Sequence, residues 1–281
     1  MVKTMIKTGS YTIAMIPYIN MAPFRQMGPP KRCHFVSMVP KNSVAALQKG
    51  RIIAAAVPVG GLPLLENIVE PLGNFGIAAK RESMSVMLFS DRPFKKMDRT
   101  CMIHLTDDST SSVRLLYLLW VNILGRDNLP RLSKNNDSIN AELLIGDQAL
   151  KRALRVNRWS GIDSDSNRQE NDPLFVVTDL ASIWWNIYNL PFVFARWVVR
   201  KDASFKIKEI LSDWLEQFRM QESKMVEACI EPTAHILKVD TIIAKRYFQV
   251  IQRCLDDTHL LGQQRFLSEY QKVKRKPLFN L

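Results

Sequence analysis

A chain of 281 residues, 47 % of them hydrophobic, can bury one large core or two of ordinary size. No stretch reaches the roughly 18 consecutive apolar residues of a membrane span, and the first ten residues carry basic side chains without an apolar leader, which points to the cytoplasm. The formal charge of +12 is spread along the chain, so it suits small anionic metabolites better than nucleic acid, for which no recognition helix, RNP-like aromatic stretch or finger is present.

Tyr11–Pro17 is an apolar run stopped by proline, and Asn20-Met21-Ala22-Pro23 reads as a capped helix start. His34–Val39 repeats the strand signal, Ser43–Leu47 is a short amphipathic helix closed by Gly50, and Ile52–Val59 is a continuous apolar strand. Such runs lack polar alternation, as a sheet covered on both faces requires, and the interleaved helices predict a largely parallel sheet. Ser85–Phe89 is a further strand. After Ser90-Asp91-Arg92-Pro93 a second α/β series begins, with strand Cys101–Leu105, helix Ser111–Leu124, strand Glu142–Ile145 and helix Gln148–Leu154.

Ser160–Asp172 is polar and acidic and reads as a loop. Leu174–Val177 is a strand, Ala181–Tyr188 a helix, and Phe192–Val199 a strong strand that carries the chain back to the first lobe. From Ser204 the apolar period becomes helical, first through Phe205, Ile210, Trp214 and Phe218, then from a cap at Asp240 or Thr241 through Ile251 and Leu255, and finally at Phe266, Leu267 and Tyr270. The predicted architecture is α/β with two lobes, mixed but mainly parallel sheets and a helical C-terminal tail packed on lobe one. Lobe one comprises residues 1–89 and 194–281, and lobe two residues 90–193.

The turn Asp107-Asp108-Ser109-Thr110-Ser111-Ser112 opens directly into a helix, where unpaired backbone N–H groups and hydroxyls form a seat for an anion or, equally, an ordinary cap. Ligands of open α/β sheets settle at the carboxyl ends of strands, so a cleft between the lobes would gather Asn20, the Ser85 region, Ser109–Ser112 and Asp147. Asp147, where a strand meets a helix, also reads as a cap. Phosphate-loop, dinucleotide, serine-hydrolase and zincin signatures are missing. The four cysteines, Cys33, Cys101, Cys229 and Cys254, are far apart and form no C-x-x-C pair, so neither a disulfide framework nor a zinc site is expected. His34, His104, His235 and His259 sit in core-like runs. What remains is a set of hydrogen-bond donors suited to an anion, able to catalyse if the substrate carried its own base.

Five blocks resemble, in order and spacing, the chorismate dehydratases of the futalosine route to menaquinone: Ile16-Pro17-Tyr18-Ile19-Asn20-Met21-Ala22-Pro23, Met84–Ser90, Ser109–Leu115, Leu144–Leu150 and Leu190–Ala195, with a weaker match at Tyr247–Tyr270. The resemblance implies a type II periplasmic-binding-protein fold, a Venus flytrap, acting as a lyase that dehydrates chorismate to 3-enolpyruvylbenzoate with no metal or organic cofactor. It implies that Asn20 orients the substrate near the departing hydroxyl, Ser85 holds one carboxylate, and Ser109, Thr110, Ser111 and Ser112 hold the other. Asp147 joins the expected substrate-binding set, and Arg81 either adds to it a bidentate carboxylate clamp that the family does not use at this position or, the favoured alternative, faces solvent. The chain departs from the family at Ile53, at Gly61 in Pro58-Val59-Gly60-Gly61-Leu62 where Glu is usual, at Arg81-Glu82 and at Tyr188-Asn189. The alternative expectation is a non-catalytic binding or sensing protein that holds a small carboxylate on the same fold.

Overall fold

The computed structural model describes residues 10–105, 110–125, 131–133, 138–156 and 174–274. The Asp107–Ser109 part of the hydroxyl-rich turn and the acidic Ser160–Asp172 stretch lie outside them.

The chain begins with β1 (Tyr11–Met15), a 3-10 turn (Ile19–Met21), α1 (Ala22–Gln26), β2 (Cys33–Ser37), α2 (Pro40–Gln48) and β3 (Ala54–Pro58). Pro23 and Pro40 stand in the first turns of α1 and α2, where a missing N–H costs nothing. A second 3-10 turn, Val59–Leu64, leads to β4 (Val69–Ala79) and β5 (Val86–Ser90). Then come β6 (Met102–Leu105), α3 (Thr110–Leu124), β7 (Arg131–Leu132), β8 (Ala141–Ile145), α4 (Gly146–Arg155), β9 (Val176–Asp179) and α5 (Leu180–Tyr188). The chain ends with β10 (Phe192–Arg200), α6 (Phe205–Leu237), α7 (Thr241–Val250), β11 (Ile251–Cys254) and α8 (Asp257–Lys274).

Two sheets result, one ordered β11-β4-β10-β3-β1-β2 and the other β7-β6-β8-β5-β9. The fold is α/β and mixed, but not mainly parallel: β1 pairs in parallel with β2 and β3, and β6 with β7 and β8, whereas β10, β4 and β11, and likewise β5 with β8 and β9, run antiparallel. In the first sheet β1, β2, β3 and β4 all run one way, and β10, returning between β3 and β4, runs against both, as β11 does against β4; in the second sheet β5 is the reversed strand. β4 is an eleven-residue strand whose Pro71, Gly73 and Gly76 hide its apolar pattern.

Three further expectations change. β5 pairs only within the second sheet, so the chain leaves the first sheet between Ala79 and Val86 rather than after residue 89, and it returns at Phe192. Ile251–Cys254 forms a strand against β4 instead of continuing the helix. The tail is divided between the two cores. The 33-residue α6, about 50 Å long at the α-helical rise, buries Ile207, Leu211, Trp214 and Phe218 against α1, with Phe218 stacked on Phe24 at 3.9 Å. In contrast, α8 sends Phe266, Tyr270 and Val273 into the cluster of Leu116, Tyr117 and Trp184 that covers the second sheet.

Candidate active-site cleft

A cavity between the two sheets is lined from nine places in the chain. Ile16, Tyr18 and Asn20 come from the loop after β1, Pro40 from the start of α2, Pro58 from the end of β3, Ile77 from β4, Ser85 from the turn before β5, Ser112 from the first turn of α3, Gly146 from the start of α4, Phe194 from β10 and Ile251 from β11. Three of the expected residues, Asn20, Ser85 and Ser112, therefore meet around one space. Its volume is about 50 Å³, on a measure by which one water needs roughly 10–15 Å³. Among the described residues the lining includes no His, Asp, Glu, Lys or Arg.

Asn20 is not a helix cap. It lies inside the 3-10 turn, and its Oδ1 is buried without a partner among the described residues. Ser85 follows a left-handed Met84 at φ +56°, a conformation that L residues other than Asn and Asp rarely adopt. Asp179 holds that turn. Its carboxylate accepts from Ser83 N at 2.8 Å and Met84 N at 2.9 Å while capping α5 through Ala181 N at 2.8 Å. Burial pushes the Asp179 carboxyl up to about 6 against the opposing pull of these backbone N–H groups. As a strand-end Asp before a helix, it shows in the sequence as a cap, but its grip on a turn 96 residues earlier does not.

The remaining expected residues serve neighbouring roles. Asp147 stands in the first turn of α4 rather than at its cap, and its Oδ1 accepts from Ile19 N at 2.9 Å, tying the Asn20 loop to the second sheet. Burial raises the Asp147 carboxyl above its ordinary value. Beside it, Gly146 takes φ +60°, and an added Cβ would stand 2.8 Å from the Tyr18 ring. Ser111 is engaged with protein: its Oγ accepts from Gly60 N at 2.9 Å, and Arg114, one turn on, donates to Gly60 O. The Thr110 backbone opens α3, and Ser109 lies outside the described residues. Arg81 is not at the cleft. It lines a surface groove with Lys80, Glu82 and Trp185, its guanidinium 5.6 Å from the Trp185 ring centre, because the chain has already turned away toward β5.

The departures from family pattern have local explanations. A Cβ on Gly60 would meet Arg114 Cδ at 3.0 Å, and one on Gly61 would meet Val44 Cγ2 at 2.7 Å. The glycine pair thus lets the Val59–Leu64 turn lie directly against α3 and α2. Asn189 closes α5 in the left-handed conformation at φ +51°, which Asn tolerates better than any residue but Gly. Ile53 packs beneath the first sheet, with its N–H on Thr12 O at 2.8 Å, and is absent from the cavity wall.

Three contributors were not evident in the sequence. Arg25 Nη1 donates to Ile16 O and Tyr18 O at 2.7 and 3.0 Å, Arg253 Nε donates to Asn20 O at 3.1 Å, and the buried Tyr247 stands behind Ser85 with its hydroxyl toward the Ser85 side chain. Burial raises the Tyr247 phenol and lowers both guanidinium groups from their ordinary values. Elsewhere, His34 bonds Ser10 and Thr12, and His259 bonds Asp256 and Gln252. Among the described residues no group of three or more His, Cys, Asp or Glu could hold a metal, and no helix is long and apolar enough to cross a membrane.

Two mixed sheets linked by strand crossovers, with a polar-edged cavity between them, define the periplasmic-binding-protein fold. The chain is similar to a solved Archaeoglobus fulgidus protein (TM-score 0.60, 13 % identity, 96 % of this chain and 98 % of that one). It is also similar to the periplasmic aliphatic sulphonate binding protein SsuA of Escherichia coli (TM-score 0.55, 11 % identity, 96 % and 94 %). A conserved Candida albicans gene product described as having the generic periplasmic binding protein fold matches at TM-score 0.53, with 11 % identity and 95 % of each chain covered. More specifically, the profile of the menaquinone biosynthesis family matches residues 11–272, and the chain belongs to that family. A curated relative, the chorismate dehydratase of Thermus thermophilus, is 24 % identical over 91 % of this chain and 93 % of its own length.

Proposed function

We propose that the cleft binds chorismate and eliminates water from it, giving 3-enolpyruvylbenzoate. The observation that carries this reading is the meeting of Asn20, Ser85 and Ser112, from three separate elements, around one cavity whose lining among the described residues holds no acid or base stronger than a tyrosine. Such a wall fixes and desolvates a substrate rather than exchanging protons with it. The chemistry then falls to the substrate: a ring C–H proton passes to the enolpyruvyl carboxylate, the neighbouring hydroxyl departs and leaves as water, and the ring becomes aromatic. Asn20 faces the departing hydroxyl, Ser85 holds a carboxylate from the turn that leads into β5, and the α3 N-terminus with Ser112 holds the other, where the helix dipole favours negative charge. Family membership and the Thermus thermophilus relative support the same reaction.

A cavity of about 50 Å³ is far below the roughly 300 Å³ of an ordinary ligand site, so the two sheet units, divided near residues 80–85 and 189–192, part to admit substrate and close on it. On this reading the protein works beside its diffusible substrate, in the cytoplasm. Mass spectrometry of chorismate incubated with the protein tests the reading. A product lighter by one water is expected, formed far more slowly by Asn20→Ala and Ser85→Ala. Chorismate bound but recovered intact would identify a binding protein, and the absence of both turnover and binding would refute the reading.

A further inference from the structure

The loop Ile16–Asn20 gives the cavity three of its lining residues, Ile16, Tyr18 and Asn20, and each of the three has its carbonyl oxygen turned away to an arginine. Arg25, one turn downstream in α1, takes Ile16 O and Tyr18 O. Arg253, 233 residues away from Asn20 in β11, takes Asn20 O. The loop's Ile19 N–H is meanwhile held from the other sheet by Asp147. The carbonyls of the three lining residues are thus held away from a bound carboxylate.

Arg253 is 1 % exposed. Its Nη1 donates to Ile251 O at 3.0 Å and Phe248 O at 3.4 Å and lies 3.5 Å from Glu222 Oε1, its carbon centre stands 5.4 Å from the Phe248 ring centre, and its Nη2 has no partner among the described residues. Burying a guanidinium with one distant carboxylate and an unfilled donor is a poor device for stability alone, because a well-packed apolar side chain does that better. What an apolar side chain cannot do is hold Asn20 O. Asn20 in turn presents a buried amide with an unfilled acceptor at the cavity wall.

We infer that Arg253, with Arg25 beside it, is a positioning residue for the reaction: its Nε–Asn20 O bond sets the angle at which the Asn20 amide meets the substrate hydroxyl. The inference rests on the proposed chorismate chemistry. Lysine retains the charge but cannot place three donors in one plane, so Arg253→Lys removes the orientation while leaving a cation. The test is a double-mutant cycle on the full chain, with kcat and KM for chorismate measured in wild type, Asn20→Ala, Arg253→Lys and the pair. Arg253→Lys is expected to lower kcat about 10- to 100-fold, with KM changed less than about threefold. In the Asn20→Ala background the same change should cost less than about threefold, because the two residues act as one unit. Equal losses in both backgrounds, or no loss, would overturn the inference, since a merely structural arginine acts independently of the Asn20 amide. Should Arg253→Lys fail to fold, Arg25→Lys enters the same cycle with the same expectation. If wild type binds chorismate without turning it over, the lyase reading fails, and the cycle is read instead in chorismate affinity by calorimetry. Neither turnover nor binding would overturn both.

Discussion

Replacing Gly146 with Ala tests how the two sheet units meet. Two costs are on view. The backbone at φ +60° is left-handed, which charges an L residue about 1–2 kcal/mol. The new Cβ would stand 2.8 Å from Tyr18 Cγ and 3.0 Å from both Cδ atoms, and an overpacked contact of this kind costs roughly 1–3 kcal/mol. Tyr18 cannot easily yield, because its carbonyl is held by Arg25 and the next N–H by Asp147. We expect a loss of about 3 kcal/mol in urea unfolding with an unchanged m-value, together with chorismate affinity reduced at least about tenfold as the ring shifts within the cavity wall. Gly146→Asn separates the two costs, since Asn accepts the backbone angle but still carries a Cβ. A loss below about 1 kcal/mol for Gly146→Ala, with affinity intact, would show that the Tyr18 contact does not join the two units.

Other perturbations follow from the same geometry. Gly61→Glu should destabilise by roughly 1–3 kcal/mol, because its Cβ meets Val44 Cγ2. Adding Val44→Ala should recover part of that loss in the same thermal melt. Phe24→Ala opens the space between Phe218, Trp197 and Trp214, whose ring centres lie 3.9, 5.5 and 6.0 Å away. The expected loss is about 3–5 kcal/mol, seen as a melting point lowered by roughly 10 °C or more. Asp256 accepts from Thr258 N at 2.9 Å and His259 N at 3.1 Å at the start of α8, and the Thr258 hydroxyl and His259 hold its carboxyl well below the usual carboxylate range. A carboxyl depressed in the folded state stabilises fully above the unfolded value near 3.9, and that contribution is lost progressively as the pH falls from there through the folded-state value. Asp256→Ala should therefore cost about 1 kcal/mol at pH 7, and the gap from wild type should begin to narrow as the pH falls below about 4 and close only in strong acid, where the folded-state carboxyl takes up its own proton. A gap independent of pH would remove the carboxylate from that cap.

How much of this was legible in the sequence depended on the range of the interaction. Elements with a strong local period, such as Phe192–Arg200 and Thr110–Leu124, were readable to within a residue or two. β4 was hidden by Pro71, Gly73 and Gly76, which read as loop although the strand tolerates them, Gly76 because Ala195 O passes 2.2 Å from where a Cβ would stand. β11 was read as helix because Ile251 and Leu255 continue the spacing of α7, and only pairing with β4 shows otherwise. In the site, Asn20, Ser85 and Ser112 were visible because strand ends and helix starts are recognisable locally. Arg253, Arg25 and Asp179 act through contacts set by the fold, and a lone Arg or a capping Asp has no local mark that separates such work from a surface charge. Ser111 and Arg81 fell the other way: their chemistry suited a ligand, but their neighbours gave them other occupations.

The helix α8 has a consequence for how the protein comes into being. Its Phe266 and Tyr270 cover Leu116, Tyr117 and Trp184, residues made some 80 to 150 positions earlier. During synthesis this cluster therefore stays incomplete until α8 has been made. Contacts this distant along the chain slow folding and prolong exposure to aggregation. A released chain cut short before Gly262 would keep every strand of the first sheet through β11 but lack the Phe266 and Tyr270 cover of the second, so the far side of the cleft is finished last.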